Sequence, residues 1–128
     1  MSTRSPGDIG ANAEWIAGQY LQSFGLQLLA QNFRTKAGEI DLIMRDGETL
    51  VFVEVRYRRA VDFGLPVETI SAPKRRRIVR AAAQYLTTLL AIPDCRFDVI
   101  TLVGDTPSSE ACDWIKSAFD TRDSVWRG

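Results

Sequence analysis

The sequence predicts an α/β fold with the element order αβββαβ, a mixed sheet flanked by helices, and a short C-terminal helix. Three observations carry this: a helical apolar period near the N-terminus, two β-branched runs flanking Asp46-Gly47, and a second helical stripe behind Pro73 followed by another strand. At 128 residues the chain is expected to form one domain with room for a proper core. That domain is placed at residues 8–120, between a disordered N-terminus at 1–7 and a tail at 121–128.

Asp8 suits the N-cap of the first helix. Ile9, Ala13, Ile16, Ala17, Tyr20, Leu21 and Phe24 then recur at the helical period until Gly25 supplies a stop. Leu26 to Arg34 is short and apolar without a helical stripe, and reads as a strand. Ile40 to Met44 and Thr49 to Tyr57 are β-rich runs either side of Asp-Gly, the strongest short hairpin signal, so strands two and three are antiparallel neighbours. Residues 58–72 contain Gly64, Pro66 and Ser71 without periodicity, and read as a loop. Pro73 fits the first turn of the second helix, whose stripe of Ile78, Ala82, Tyr85, Leu86 and Leu89 runs on until Pro93. Phe97 to Val103 is a fourth strand closed by Gly104-Asp105. Glu110 to Phe119 reads as a short terminal helix, with Trp114, Ile115, Ala118 and Phe119 packing on the sheet or forming the contact of a homodimer.

Composition removes several chemistries. There is no histidine, which excludes Ser-His-Asp and Cys-His hydrolases and histidine-containing zinc sites. Cys95 and Cys112 form no CxxC pair, and fit a reducing cytoplasm better than a disulfide framework. The longest uncharged stretch, Ala81 to Pro93, is too short to span a bilayer, so no membrane partner is expected. Sixteen basic and sixteen acidic residues cancel, but not locally. Residues 56–80 hold Arg56, Arg58, Arg59, Lys74, Arg75, Arg76, Arg77 and Arg80 against only Asp62 and Glu68. Residues 1–55 and 81–128 each carry four basic against seven acidic side chains. The distribution, more than the total, bears on partners.

With Asp46 and Gly47 as the two turn residues, Asp41 is expected opposite Phe52 and Glu39 opposite Glu54. Ile40, Leu42, Met44, Val51, Val53 and Val55 then form one apolar face, and Glu39, Asp41, Glu54 and Arg56 gather at the far end of the other. Two carboxylates about 5 Å apart repel by roughly 3 kcal/mol at an effective dielectric of about 20. Glu54 is moreover embedded in VFVEVR, where its neighbours expect burial. A divalent cation relieves both problems, and Mg²⁺, which accepts one or two protein carboxylates and keeps positions for water and phosphate, suits the pair. Such an ion acidifies bound water and polarises a phosphoryl group, so hydrolysis needs no histidine.

GEIDLI at 38–43, followed across the hairpin by FVEVR at 52–56, resembles the D…ExK core of the PD-(D/E)XK nuclease superfamily. More narrowly, the chain resembles the YraN-like family of predicted endonucleases, similar in fold to Holliday-junction resolvases. The resemblance includes NFR at 32–34, Gly10-x-x-x-Glu14 with Tyr20-Leu21, Phe63-Gly64, Lys74 with its following arginines, and RFDV at 96–99. It implies a restriction-endonuclease-like core, with Asp41 and Glu54 as acids binding Mg²⁺ or Mn²⁺ and Glu14 reaching into the site. By helical angle alone Glu14 lies on the flank of its helix, facing either solvent or the sheet edge. Glu39 either adds to the field of the metal or pairs with Arg56 or Arg34. Gln84, beside Tyr85, sits on the helix where some related nucleases place a polar residue near the metal.

Arg56 departs from the pattern, which has lysine there. An arginine stays charged and cannot be a general base, but it clamps phosphate through two parallel hydrogen bonds. Arg58, Arg59, Lys74, Arg75, Arg76, Arg77 and Arg80 are read as contacts to a DNA backbone, recognised by charge and shape since no base-reading motif is present. Four consecutive cations at a helix N-terminus oppose the dipole and call for such a reason. Two readings of function follow: a Mg²⁺-dependent DNA endonuclease acting on branched or structured DNA, and a non-catalytic nucleic-acid-binding module on a nuclease scaffold.

Overall fold

The computed structural model describes residues 8–59, 70–104 and 107–121. The N-terminal segment 1–7, the Phe63-Gly64 loop, Asp105 and tail residues 122–128 lie outside the described residues. Helix α1 spans Asp8–Ser23, and three strands follow, β1 at Gln27–Arg34, β2 at Glu39–Asp46 and β3 at Thr49–Arg58. Helix α2 spans Ala72–Leu86, β4 Cys95–Val103, and β5 Cys112–Phe119 after a single 3₁₀ turn at Ser109–Ala111. The strands form one mixed sheet in the order β1-β2-β3-β4-β5, with β3 and β4 parallel and the other pairs antiparallel. The predicted α/β class and αβββαβ order are therefore present.

Helix α1 stops where Gly25 predicts. Gly25, at φ +93°, donates its N–H to the Gln22 carbonyl (2.9 Å), and Leu26 donates to that of Leu21 (3.3 Å). These are the two bonds of a Schellman motif, completed by burial of Leu21 and Leu26 in the same cluster. Ala13, Ala17 and Leu21 pack on Leu42, Met44, Val51, Val53, Ile100 and Leu102, covering one face of the sheet. Ile78, Ala81 and Ala82 of α2 cover the other, over Ile43, Leu50, Phe52, Phe97 and Phe119. Each helix thus buries the stripe its sequence period requires.

Four expectations are corrected. The hairpin turn is Gly47-Glu48, with Asp46 opposite Thr49 and Leu42 opposite Val53, so the register is displaced by two residues. Gly47 takes φ +61° and Glu48 is not left-handed, the pattern of a type II′ turn, which wants glycine first and not second. A two-residue displacement keeps each side chain on its face but brings Asp41, not Glu39, level with Glu54. Ile40 leaves the Leu42 face and joins Ile43, because beyond the last β2–β3 pair, Leu42 with Val53, it follows its β1 partner Phe33 into that cluster.

Helix α2 ends at Leu86, well before Pro93. There the hydroxyls of Thr87 and Thr88 donate to the carbonyls of Gln84 (2.6 Å) and Tyr85 (2.7 Å), satisfying helix-end acceptors. Finally, the expected C-terminal helix is strand β5. Its 115, 118, 119 spacing suits a helix, but the edge of β4 offers a full row of backbone partners, and pairing with it prevails. Among the described residues no helix is long and apolar enough to cross a membrane, and Cys95 and Cys112 are free thiols.

Candidate active site

The approach to β2 is fixed by a tight turn in which the Thr35 N–H donates to the Gly38 carbonyl (2.8 Å). Thr35 Oγ1 accepts from the N–H groups of Ala37 (3.0 Å) and Gly38 (3.1 Å). Gly38 lies against the backbone of α2, where a Cβ would stand 2.7 Å from the Arg77 carbonyl oxygen. Gly38→Ala must therefore push β2 and α2 apart, at a cost of about 1–3 kcal/mol. Urea unfolding should show a midpoint lowered accordingly, and an unchanged midpoint would mean that the two elements are not held at this distance.

Past the last β2–β3 ladder pair, Leu42 with Val53, the strands fork. Asp41 Oδ2 there accepts the Val55 N–H (2.8 Å), a bond that a continuing ladder would have given to a carbonyl. The fork orients Asp41 towards Glu54, whose side chain is only 8% exposed. Lys74 Nζ, from the first turn of α2, lies 3.3 Å from Glu54 Oε2. Its alignment is ionic only, and among the described residues that buried oxygen has no hydrogen-bond donor. A cleft of about 240 Å³ opens over these groups, lined by Gly38, Glu39, Asp41 and Glu54 on the sheet and Lys74 and Arg77 on the helix.

On the other flank, Glu14 of α1 faces the same acids. With its carboxamide nitrogen turned towards them, Asn32 donates to Glu14 Oε1 (2.9 Å) and Glu39 Oε1 (3.2 Å), while Arg34 Nε lies 3.4 Å from Glu39 Oε1. Of the two open alternatives, Glu14 thus faces the sheet edge, and Glu39 has Arg34 as an ionic neighbour. Burial, then Asp41 and Glu39, push the Glu14 carboxyl up to about 7, against the pull of Asn32 and Arg34. Burial, then the neighbouring Asp41 carboxyl, raise Glu54 to about 8, with Lys74 opposing. These are acids crowded beyond what the cationic neighbours neutralise. No three His, Cys, Asp or Glu among the described residues stand close enough together to cage an ion.

The other expected residues divide. Arg56 and Arg58 lie further along β3, opposite Thr101 and Val103 of β4, with Arg59 following, and none lines the cleft. Arg76, Arg77 and Arg80 are exposed on α2. Arg75 is a correction to the basic run, being 7% exposed with Nη1 donating to the Ile70 carbonyl. A helix side chain one position from Lys74 points about 100° away, here into the core. Gln84 is a second correction: it is exposed and lies about 15 Å along α2 from Lys74, too far to serve the site. Asn32 is the residue that sequence reasoning missed. Its signal was an asparagine inside a strand, where the residue is disfavoured unless its backbone or side chain is specially used.

Residues 13–102 match the model of a family described as "Uncharacterised protein family UPF0102". A protein of Pseudomonas syringae pv. syringae is 46% identical over 114 residues, covering 88% of this chain and 93% of its own. One of Chromohalobacter salexigens is 49% identical over 111 residues (87% and 89%), and one of Coxiella burnetii 47% over 114 (88% and 92%). All three carry the same family name and no stated activity.

Proposed function

The chain belongs to the uncharacterised protein family UPF0102, and from that premise and its cleft we propose that it is a Mg²⁺- or Mn²⁺-dependent endonuclease. It hydrolyses phosphodiester bonds in DNA, branched or otherwise structured, in the cytoplasm. The observation that supports this most is Glu54, a buried acid beside Asp41 whose Oε2 has an ionic neighbour but no hydrogen-bond donor. A fold gains nothing from that arrangement, whereas a hard cation with oxygen ligands fits it. Asp41 and Glu54 would hold the ion, with Glu14 and Glu39 adding negative field. Two carboxylates suffice for Mg²⁺, which takes its remaining ligands from water and phosphate, so the lack of a third close acid among the described residues is compatible with this ion. When bound, it would polarise the phosphoryl group and acidify water.

The residues of the chain do the rest. Val55 fixes Asp41 through its N–H, and Asn32 orients Glu14 and Glu39. Arg56, further along β3 than the cleft, clamps a flanking phosphate, and the exposed Arg76, Arg77 and Arg80 hold the duplex backbone without reading bases. Arg56 in the lysine position favours a second reading, a module that binds DNA without cutting it. The two separate on linear, single-stranded, flapped and four-way DNA with Mg²⁺, Mn²⁺ or EDTA. Metal-dependent nicking that disappears with EDTA is expected, together with binding that weakens steeply as salt rises. Binding without cleavage in either metal would establish the second reading, and cleavage that survives the double change Asp41→Asn with Glu54→Ala would remove the metal assignment.

A further inference from the structure

We propose that Lys74, reaching in from α2, is the catalytic cation of the site. It neutralises Glu54 until a divalent ion takes that carboxylate, and its amine then moves to the non-bridging oxygens of the phosphate being cut. The inference rests on the endonuclease reading and assigns within it a role that the sequence pattern would give to position 56.

Four observations carry it. Lys74 Nζ is 3.3 Å from Glu54 Oε2, and the Lys74 side chain is 42% exposed where that of Glu54 is 8% exposed. The amine therefore stands at the mouth of the acid's pocket, between it and solvent. Lys74 lines the cleft with Asp41 and Glu54, and Arg56 does not. Its contact with Glu54, at 3.3 Å, is longer than a strong charge-assisted hydrogen bond, so exchanging it for another anionic oxygen costs little. Its backbone, in contrast, is anchored: Ser71 Oγ accepts the Lys74 N–H (3.3 Å), Pro73 occupies the first turn, and Arg77 abuts Gly38.

The chemistry favours this residue type. A lysine amine is a compact charge with three donors on a flexible stem, and it can exchange one anionic oxygen for another. The planar fork of Arg56, outside the cleft, suits a fixed clamp on a flanking phosphate. Lys74 also sits in the first turn of a helix, where the dipole disfavours a cation, and Glu54 before metal binding or phosphate after it supplies the compensating charge. In the reaction, the oxygen of water bonds to phosphorus as the ester bond to the departing nucleotide breaks. The water's proton passes to solvent, and the leaving oxygen takes one from solvent. Lys74 takes no part in these proton transfers and donates to the equatorial oxygens as their charge grows.

The test compares the native protein with Lys74→Met in single-turnover cleavage, in DNA binding with Ca²⁺ in place of Mg²⁺, and in Mn²⁺ binding by calorimetry without DNA. Lys74→Met is expected to slow cleavage about 100-fold at saturating protein. DNA affinity should change less than about threefold, and Mn²⁺ should bind about fivefold more tightly because the competing cation is gone. A role confined to holding α2 in place would not tighten metal binding. In a Cys95→Ser, Cys112→Ser background, Lys74→Cys alkylated with 2-bromoethylamine rebuilds a lysine-like amine and should recover at least about tenfold of the lost rate. If the native protein cleaves and Lys74→Met cleaves equally well, this inference fails and the endonuclease reading stands. If the native protein cleaves nothing with either metal, both fail.

Discussion

Glutamine at position 54 is expected to have two effects of opposite sign: loss of metal-dependent cleavage by at least about 10²-fold, and greater stability of the metal-free protein above neutral pH. The first follows from replacing a charged oxygen ligand by a neutral amide. The second follows from burial. Glu54 and Glu14 ionise near 4.5 in the unfolded chain but are raised to about 8 and about 7 in the folded one. Between those limits the folded state binds more protons than the unfolded state, so these groups make stability fall as pH rises from about 4.5 to about 8. Melting temperatures in EDTA should therefore be higher at pH 5.5 than at pH 8. Mg²⁺ should recover part of the difference at pH 8. Glu54→Gln stays neutral, flattens the profile, and removes the Mg²⁺ effect. If the variant is destabilised equally at both pH values, Glu54 is a structural partner of Lys74 and not a frustrated acid.

The Lys74 contact sharpens that test. Lysine opposes the upward shift of Glu54, yet the shift remains upward because burial and Asp41 outweigh it. A cation placed for structural neutralisation alone would be expected to hold its acid at or below the ordinary value, as a well-bonded ion pair does. The same two residues therefore separate a folding role from a functional one by the sign of a pH dependence.

Much of this was legible because local signals and the fold agree. Gly25, Pro73 and the two apolar helix stripes each act within a few residues, and α1 and α2 start or stop accordingly. Glu54 stood out because a charged residue amid Val53, Val55 and Phe52 violates the local pattern, and the structure buries it. The misread features depended on backbone conformation or on partners outside the local pattern. Whether Gly47 is the first or second turn residue hinges on φ at Glu48, which an Asp-Gly pair does not specify. Residues 112–119 fit a helix when read alone and become β5 because β4 has an open edge. The inward turn of Arg75 and the bridging amide of Asn32 involve Ile70, Glu14 and Glu39, none adjacent in the chain. Composition gave the local charge, but only the packing of α2 on β2 divides the basic run into Lys74 and Arg77 at the cleft, Arg75 in the core and Arg76 and Arg80 outside.

Alanine at position 98 is expected to be the most destabilising single change outside the cleft, costing about 3–5 kcal/mol, a large share of the 5–15 kcal/mol typical of a domain. Asp98 has no solvent exposure and gathers three donors. Its Oδ1 accepts from the Ser117 N–H (3.0 Å), Oδ2 accepts from Trp114 Nε1 (2.9 Å), and Arg96 Nε lies 3.1 Å from both oxygens. Ser117 is left-handed, at φ +52°, and the β4–β5 register shifts between Phe97 and Val99, so the carboxylate replaces the ladder bond that this irregularity removes. Without it the Ser117 and Trp114 donors and part of Arg96 are stranded, while Arg96 Nη1 keeps Asp46 at 3.0 Å. Asp98→Asn preserves the shape but turns one acceptor into a donor facing donors, and should cost about 1–3 kcal/mol. Asp46→Ala breaks a more exposed pair and should cost less than about 1 kcal/mol. Denaturant titration of the three variants checks the order. Because among the described strands β5 pairs with β4 alone, on the opposite side of β3 from β2, the loss should fall on stability and not on cleavage per folded molecule. Full stability with lost cleavage in Asp98→Asn would instead place Asp98 in the chemistry.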